Sequence, residues 1–466
     1  MGRTLRVRRP LMAAGEDTAS SAQPALARTM GLGALTIYGV GDMLGAGIYG
    51  LMGKAAGLMG NAVWLAFVMA MLVALLTGLS YANIGSRYPR AAGAPYVVHR
   101  AWRAPFVSYV IGLGVAASGL TSMATGSRVI AGYVQALGVR WPAGVLVVAF
   151  LVLLALVVFR GIRESTWMNM LCTAVELTGL LIVIAVGVRY WGSVDYLETP
   201  PPTGEGSAAG LSAGLLLQGA VLTFFSFIGF EDLLNVAEEV KRPRTTLPLG
   251  LLLALLIATT LYILVAISAV SVLPYRELSQ SKAALVDVVR KAAPAFPPIL
   301  FTAIGVFAVA NTALLNYVMG SRLLYGMSRQ GLLPAWLGRV HPVRRTPHVA
   351  ILVLLGIVLA LALAGDIRQL ADATSLLLLG AFVVVNGALI LLKLRPGEPR
   401  GAFEVPVLVP AAGVLLCLVM IAGRVLGPGA DVRAPLIAGG LVAGISLLYA
   451  LRRPENVVLD EVPEEP

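Results

Sequence analysis

Two short stretches place acidic residues beside glycine-rich breaks in a chain otherwise poor in charge. The first is Gly41-Asp42-Met43-Leu44-Gly45-Ala46-Gly47-Ile48-Tyr49-Gly50, and the second is Phe224-Phe225-Ser226-Phe227-Ile228-Gly229-Phe230-Glu231-Asp232. Both lie inside long apolar runs. Glycine lowers helix stability by about 1 kcal/mol relative to alanine, so the glycines at 45, 47 and 50 favour local unwinding. Backbone unwound at membrane depth is tolerated only where it is buried in protein or lines a water-filled cavity. There, half-helix N-termini offer N–H donors to a carboxylate, and freed carbonyls accept from an ammonium group. The pair of breaks therefore suits a zwitterion. For the first stretch alone, close helix packing through spaced glycines accounts for the pattern equally well. The pairing favours a ligand site, because broken helices in matching positions of two inverted halves are a transporter design. The halves share no detectable sequence identity, so the repeat rests on helix order and break position.

The elements that would position these residues follow from composition. Of 466 residues, 58% are hydrophobic and 13% charged, against roughly 25% charged in a soluble domain. A helix crosses the hydrocarbon core with about 20 apolar residues, and such runs recur along the chain. They predict twelve helices at 31–58, 61–86, 105–137, 141–160, 166–191, 208–239, 246–273, 294–326, 347–364, 368–393, 404–424 and 433–451. With the N-terminus inside, the cytoplasmic loops and tails hold 24 of the 35 Lys and Arg residues, as the positive-inside rule requires. The fold class is thus an all-α polytopic membrane protein of the cell inner membrane, both termini cytoplasmic. Its segments are a tail at 1–30, a five-helix repeat at 31–191, a second, inverted repeat at 208–393 with helices 1 and 6 broken, two further helices at 404–451 and a tail at 452–466.

The same residues exclude other chemistry. Cys172 and Cys417 lie within apolar runs, and His99, His341 and His348 lie in loops beside arginines. Neither set has the spacing of a metal site or a nucleophilic triad, so no cofactor, no metal and no enzyme activity are expected. The net charge of +11 is spread between apolar spans, which argues against nucleic acid as a partner. No Walker A loop is present, which disfavours ATP-driven pumping. The expected partners are the lipid bilayer and a small molecule, an amino acid or amine. Nothing in the sequence sets an oligomeric state.

Five motifs, in order, resemble the amino acid–polyamine–organocation superfamily of permeases: GVGDMLGAGIYGLMGKAAG, GSRYPRAAGAPYVVHR, GIRESTWMN, FFSFIGFEDLLNVAEEVKRPRTTLP and NTALLNYVMGSRLLYGMSRQGLLP. The resemblance implies the leucine-transporter fold and a secondary transporter of amino acids that works by alternating access. It also implies roles by residue. Gly45, Ala46 and Gly47 match the stretch that binds the substrate carboxylate. The carbonyls near Met43, Phe225 and Ile228 match those that receive the amino group, and Phe225 matches an aromatic gate that closes over the substrate. Apart from the resemblance, the place of Glu238 and Glu239 near the cytoplasmic end of helix 6 suits an inner gate or a loop anchor.

Asp42 and Glu231 flank the two breaks and are assigned to substrate binding and proton coupling, with Asp232 a third carboxylate nearby. Their combined charge favours a cationic ligand, unless one or more is protonated or capped by backbone N–H groups. Glu176, within CTAVELTGLLIVI, is the other buried carboxyl expected. A charge at a membrane-helix centre costs about 2.5–3.5 kcal/mol and marks function by default. Glu176 could carry a coupling proton, bind a cation with helix 1 carbonyls, or hydrogen-bond within the bundle. Some proton-coupled relatives place a lysine in this part of helix 5, so their mechanism cannot be copied. Sodium is disfavoured because Ala310-Asn311-Thr312-Ala313 lacks the adjacent hydroxyl pair seen in many sodium-coupled relatives, although Glu176 itself could compensate. Two alternatives stay open beside proton-coupled transport: a cationic amino acid or polyamine exchanger without proton drive, and a non-transporting amino-acid-binding receptor.

Overall fold

The computed structural model describes residues 28–89, 93–160, 166–201, 210–329, 332–344, 346–427 and 431–452. The two tails expected at 1–30 and 452–466 lie almost wholly outside the described residues, as do the first five residues of the GIRESTWMN motif and the side chain of Glu238.

Among the described residues sixteen α-helices follow one another: α1 (Leu32–Met43), α2 (Ala46–Met59), α3 (Val63–Arg87), α4 (Gly93–Trp102), α5 (Pro105–Ala136), α6 (Ala143–Arg160), α7 (Thr166–Gly187), α8 (Ala213–Phe224), α9 (Pro243–Val272), α10 (Tyr275–Gln280), α11 (Ala284–Ala292), α12 (Pro298–Arg329), α13 (His348–Ala364), α14 (Ile367–Leu394), α15 (Leu408–Leu426) and α16 (Arg433–Arg452). Ten helical segments among the described residues are long and apolar enough to cross a membrane, and the shorter α13 is equally apolar. The protein is a multi-pass, all-helical membrane protein. One of the ten, Ala46–Arg87, has 42 residues. As a single straight helix it would be about 63 Å long, twice the hydrocarbon core of about 30 Å. The chain instead leaves α2 at Gly60, φ +66°, and the amides of Asn61 and Ala62 donate to the carbonyl of Glu198.

Helices occupy the predicted positions with two departures. The sixth predicted helix, 208–239, is α-helical only to Phe224 and continues as short 3₁₀ turns at Phe225–Phe227, Phe230–Leu234 and Ala237–Glu239. Local side chains compete with the helix there: Glu231 accepts from the amide of Gly229 at 3.0 Å, and Asn235 donates to Asp232 at 2.9 Å. The other departure is α4, α10 and α11, which lie where loops were expected. Leu285, Val286, Val288 and Val289 of α11 are buried against α2, α7, α9 and α12, while Asp287 and Arg290 pair on its outer side at 2.7 Å.

Contacts among the helices come in exchangeable sets. α1 lies on α9 as α8 lies on α3, α1 on α7 as α8 on α14, and α5 on α14 as α12 on α7. The pairs α3 with α9, α5 with α12 and α6 with α13 also touch directly.

Polar ties hold the bundle at both ends. Pro248 lies inside α9 and has no N–H to give the carbonyl of Arg244. That carbonyl instead accepts from the Ser86 hydroxyl at 2.7 Å, and the same hydroxyl oxygen accepts from the amide of Phe403 at 2.9 Å. Beside it, Glu404 receives the Arg87 guanidinium at 2.6 and 2.7 Å and the Lys393 ammonium. Glu398 receives Arg100 and the Tyr88 hydroxyl, both at 2.8 Å. At the opposite ends of α14 and α15, Arg424 and Asp372 form a buried ion pair at 2.9 Å.

Candidate functional site

The breaks form at the glycines named from sequence. α1 ends at Leu44, whose backbone is extended, and α2 starts from Gly45 at φ +135°. The second break has an extended Ile228 followed by Gly229 at φ +124°. Only glycine adopts these positive angles at little cost. The two breaks press against each other. A Cβ at Gly229 would fall 2.8 Å from the carbonyl of Asp42, and one at Gly47 would fall 2.5 Å from the Cα of Ser226. A Cβ at Gly45 would fall 2.1 Å from the Thr312 hydroxyl on α12. The close-packing explanation of these glycines and the unwinding explanation therefore both hold.

The freed carbonyls have partners. The Tyr262 hydroxyl on α9 lies 2.7 Å from the carbonyl oxygens of both Met43 and Ser226. The carbonyl of Phe225 accepts from the amide of Ile228 at 3.4 Å, and that of Gly45 from the amide of Tyr49 at 3.1 Å. Of the carbonyls assigned to an amino group, those of Met43 and Phe225 are thus engaged within the protein.

Asp42, Met43, Ala46, Gly47, Phe225 and Ile228 of the predicted site line one cavity of about 30 Å³ between the breaks, joined by Gly229. The volume holds a water or two, far below the roughly 300 Å³ at which ligand pockets begin. The remaining walls are polar: Ser122 from α5, Asp232, and Thr312 and Asn316 from α12. Gly45 lies next to this lining, with its Cα toward Thr312.

Two predicted site residues lie elsewhere. Glu231 is buried behind the break, its carboxylate on the amide of Gly229, while its neighbour Asp232 faces the cavity. Glu176 is fully buried on α7. Its Oε1 accepts from Asn311 of α12 at 3.1 Å, and its Oε2 has no hydrogen-bond partner among the described residues. Its backbone carbonyl accepts from the Tyr49 hydroxyl of α2 at 2.6 Å. Glu176 therefore sits where α2, α7 and α12 meet, outside the cavity lining.

Sequence reasoning missed Ser122, Asn316 and Tyr262. Thr121, Ser122 and Thr125 on α5, and Asn311, Thr312 and Asn316 on α12, were the signal: polar residues clustered within otherwise apolar spans.

The chain matches the amino acid permease family over residues 30–446. An uncharacterized transporter of Mycobacterium tuberculosis is 32% identical over 438 residues, 92% of each chain. The branched-chain amino acid permease of Bacillus subtilis is 28% identical over 426 residues, 86% of this chain and 89% of the relative. Cationic amino acid transporter 4 of Mus musculus is 30% identical over 406 residues, 82% of this chain and 62% of the relative. Since that match spans both breaks and every wall of the cavity between them, this membrane protein is a transporter and belongs to the amino acid permease family.

Proposed function

We propose that this protein is a secondary active transporter that carries amino acids across the cell inner membrane by alternating access, driven by protons. The observation that carries the reading is the meeting of two glycine breaks around one small polar cavity. Backbone groups of Gly45, Ala46 and Gly47 would take the substrate carboxylate, and Phe225 would close over it. A cavity this small must widen to admit an amino acid, so transport requires the broken helices to move. The exchangeable contact sets of α1 to α7 and α8 to α14 support two inverted five-helix repeats. Counting α1 with α2, α3 separately and α13 supports twelve crossings. The density of Lys and Arg on one side of these crossings supports cytoplasmic termini.

Glu176 is the proposed proton carrier. It is a buried carboxyl with one bonded and one unbonded oxygen, and its backbone is tied to α2 just beyond the first break. Motion of α2 against α7 would change the surroundings of that carboxyl. Asp42 and Glu231 are the other carboxyls proposed to couple.

A second reading has its own observation. Asp42 and Asp232 both line the cavity, which favours a cationic amino acid or polyamine, exchanged without proton drive.

The test is transport in proteoliposomes under imposed gradients, comparing the wild type with Glu176→Gln, Asp42→Asn and Glu231→Gln. Proton coupling requires that an inward proton gradient drives accumulation and that at least one variant keeps exchange but loses the drive. Uptake that follows sodium, or that ignores pH in all four proteins, overturns it. Binding without counterflow would mark a receptor instead.

A further inference from the structure

A second cavity, of about 240 Å³, opens on the surface between the start of α9 and the segment joining α14 to α15. Arg244, Thr245, Leu249, Leu252, Ala402 and Phe403 line it. The transport site lies elsewhere, and no role described so far uses this cleft.

Its two walls are held at a fixed spacing. Pro248 frees the Arg244 carbonyl, and Ser86 joins that carbonyl to the amide of Phe403. The cleft is therefore built into the fold. Its chemistry is divided along its length. At one end Arg244 is exposed, and its guanidinium makes no hydrogen bond or ion pair with a described residue. Lys241 and Arg242 are exposed in the same turn. No acidic residue is among the described residues that line the cleft, and one nearby carboxylate, Glu404, is already held by Arg87 and Lys393. At the other end an apolar track runs along α9. Leu249 is 48% exposed, Leu252 lines the cleft and Leu256 is 63% exposed. From Arg244 to Leu256 the helix rises about 18 Å, close to one leaflet of a hydrocarbon core of about 30 Å.

We infer that this cleft binds an anionic phospholipid, with Arg244 on the phosphate and Leu249, Leu252 and Leu256 along an acyl chain. Charge complementarity selects the occupant. An exposed Arg244 with no acidic partner among the described residues, near in sequence to the exposed Lys241 and Arg242, favours a headgroup of net negative charge over a zwitterionic one, and a bidentate guanidinium matches phosphate geometry. The apolar track selects a lipid over a free anion.

The test is native mass spectrometry of the full chain released from detergent, titrated with phosphatidylglycerol or phosphatidylcholine. The wild type should hold one phosphatidylglycerol in preference to phosphatidylcholine. Arg244→Gln should weaken that binding roughly fivefold, and Leu252→Trp, which fills the track and leaves the charges intact, should weaken it as well. Arg339→Gln removes an exposed cation away from the cleft and should leave it unchanged. Equal binding of the two lipids, or equal weakening by Arg339→Gln and Arg244→Gln, overturns the proposal. So does full displacement of phosphatidylglycerol by inorganic phosphate, which would make the cleft a site for free anions.

Discussion

The hydroxyl of Tyr262 lies 2.7 Å from the carbonyl oxygen of Met43 and equally close to that of Ser226, so one phenol on α9 spans both breaks. Replacing it with Phe keeps the ring, which packs on Phe227 at 5.3 Å and Phe67 at 5.6 Å between centroids. The two buried carbonyls then lose the single O–H they share. Tyr262→Phe should lower thermal stability by about 1–3 kcal/mol and reduce uptake at unchanged surface expression. Wild-type melting and uptake in this variant would show that the bridge is dispensable.

Asp232 and Glu231 are adjacent in sequence but face different surroundings. Asp232→Asn should shift substrate preference, with arginine and lysine competing less well against a labelled neutral amino acid. Glu231→Gln keeps an acceptor for the amide of Gly229 and should leave the order of competitors unchanged. A competition panel separates the two. Identical shifts in both variants would mean that the cavity does not distinguish their carboxylates.

Gly47 packs directly on the backbone of Ser226, where an added Cβ would fall 2.5 Å from the Cα. Even Gly47→Ala must displace α2 from the second break, at about 1–3 kcal/mol for overpacking. Because the obstacle is a Cα, trimming the neighbour with Ser226→Gly should restore neither stability nor transport. Rescue by that second change, read as recovered melting temperature, would place the clash in the side chain instead.

Acid should loosen the tie around Glu404. Burial works against its charge, but hydrogen bonds from Arg87 and Lys393 outweigh that and hold the carboxyl down at about 2. A lowered folded-state value contributes stability that is complete above the unfolded value, about 4.5, and is lost as pH falls toward about 2. The wild type should therefore melt above Glu404→Gln at neutral pH by a constant margin. That margin should close only below about pH 4.5. A margin that already shrinks between pH 7 and 5 would point to a different titrating group.

The helices were readable because an apolar span of about 20 residues has one solution in lipid, and the breaks because only glycine relieves the backbone at 45 and 229. The cavity walls were harder to read. Ser122, Thr312 and Asn316 differ from other small polar residues in apolar spans only by the direction they face, which depends on how α5 and α12 pack. The buried pair of Asp372 and Arg424 is 52 residues apart in sequence, and each residue alone reads as an interface charge. Helix 6 beyond Phe224 follows a sequence that would suit an α-helix, but the carboxylate of Glu231 and the side chain of Asn235 redirect it. The short helices α4, α10 and α11 bury one apolar face against neighbours, a requirement that appears only once those neighbours are placed.

Met30, just ahead of α1, exchanges backbone hydrogen bonds with Glu239 and Lys241 at 3.0 and 2.8 Å, forming an isolated parallel bridge. The stretch that leads into the first break is thereby stitched to the stretch that leaves the second. For protein engineering this makes the two termini unequal. A fluorophore or tether joined directly ahead of Met30 would load the stitch, and so would sense, or jam, the proposed opening of the broken helices. The same attachment after Arg452 would hang from α16, whose Leu436, Leu447 and Leu451 are 68%, 60% and 76% exposed, and would leave the proposed movement free. A reporter of the working cycle belongs at the first terminus and an inert purification handle at the second.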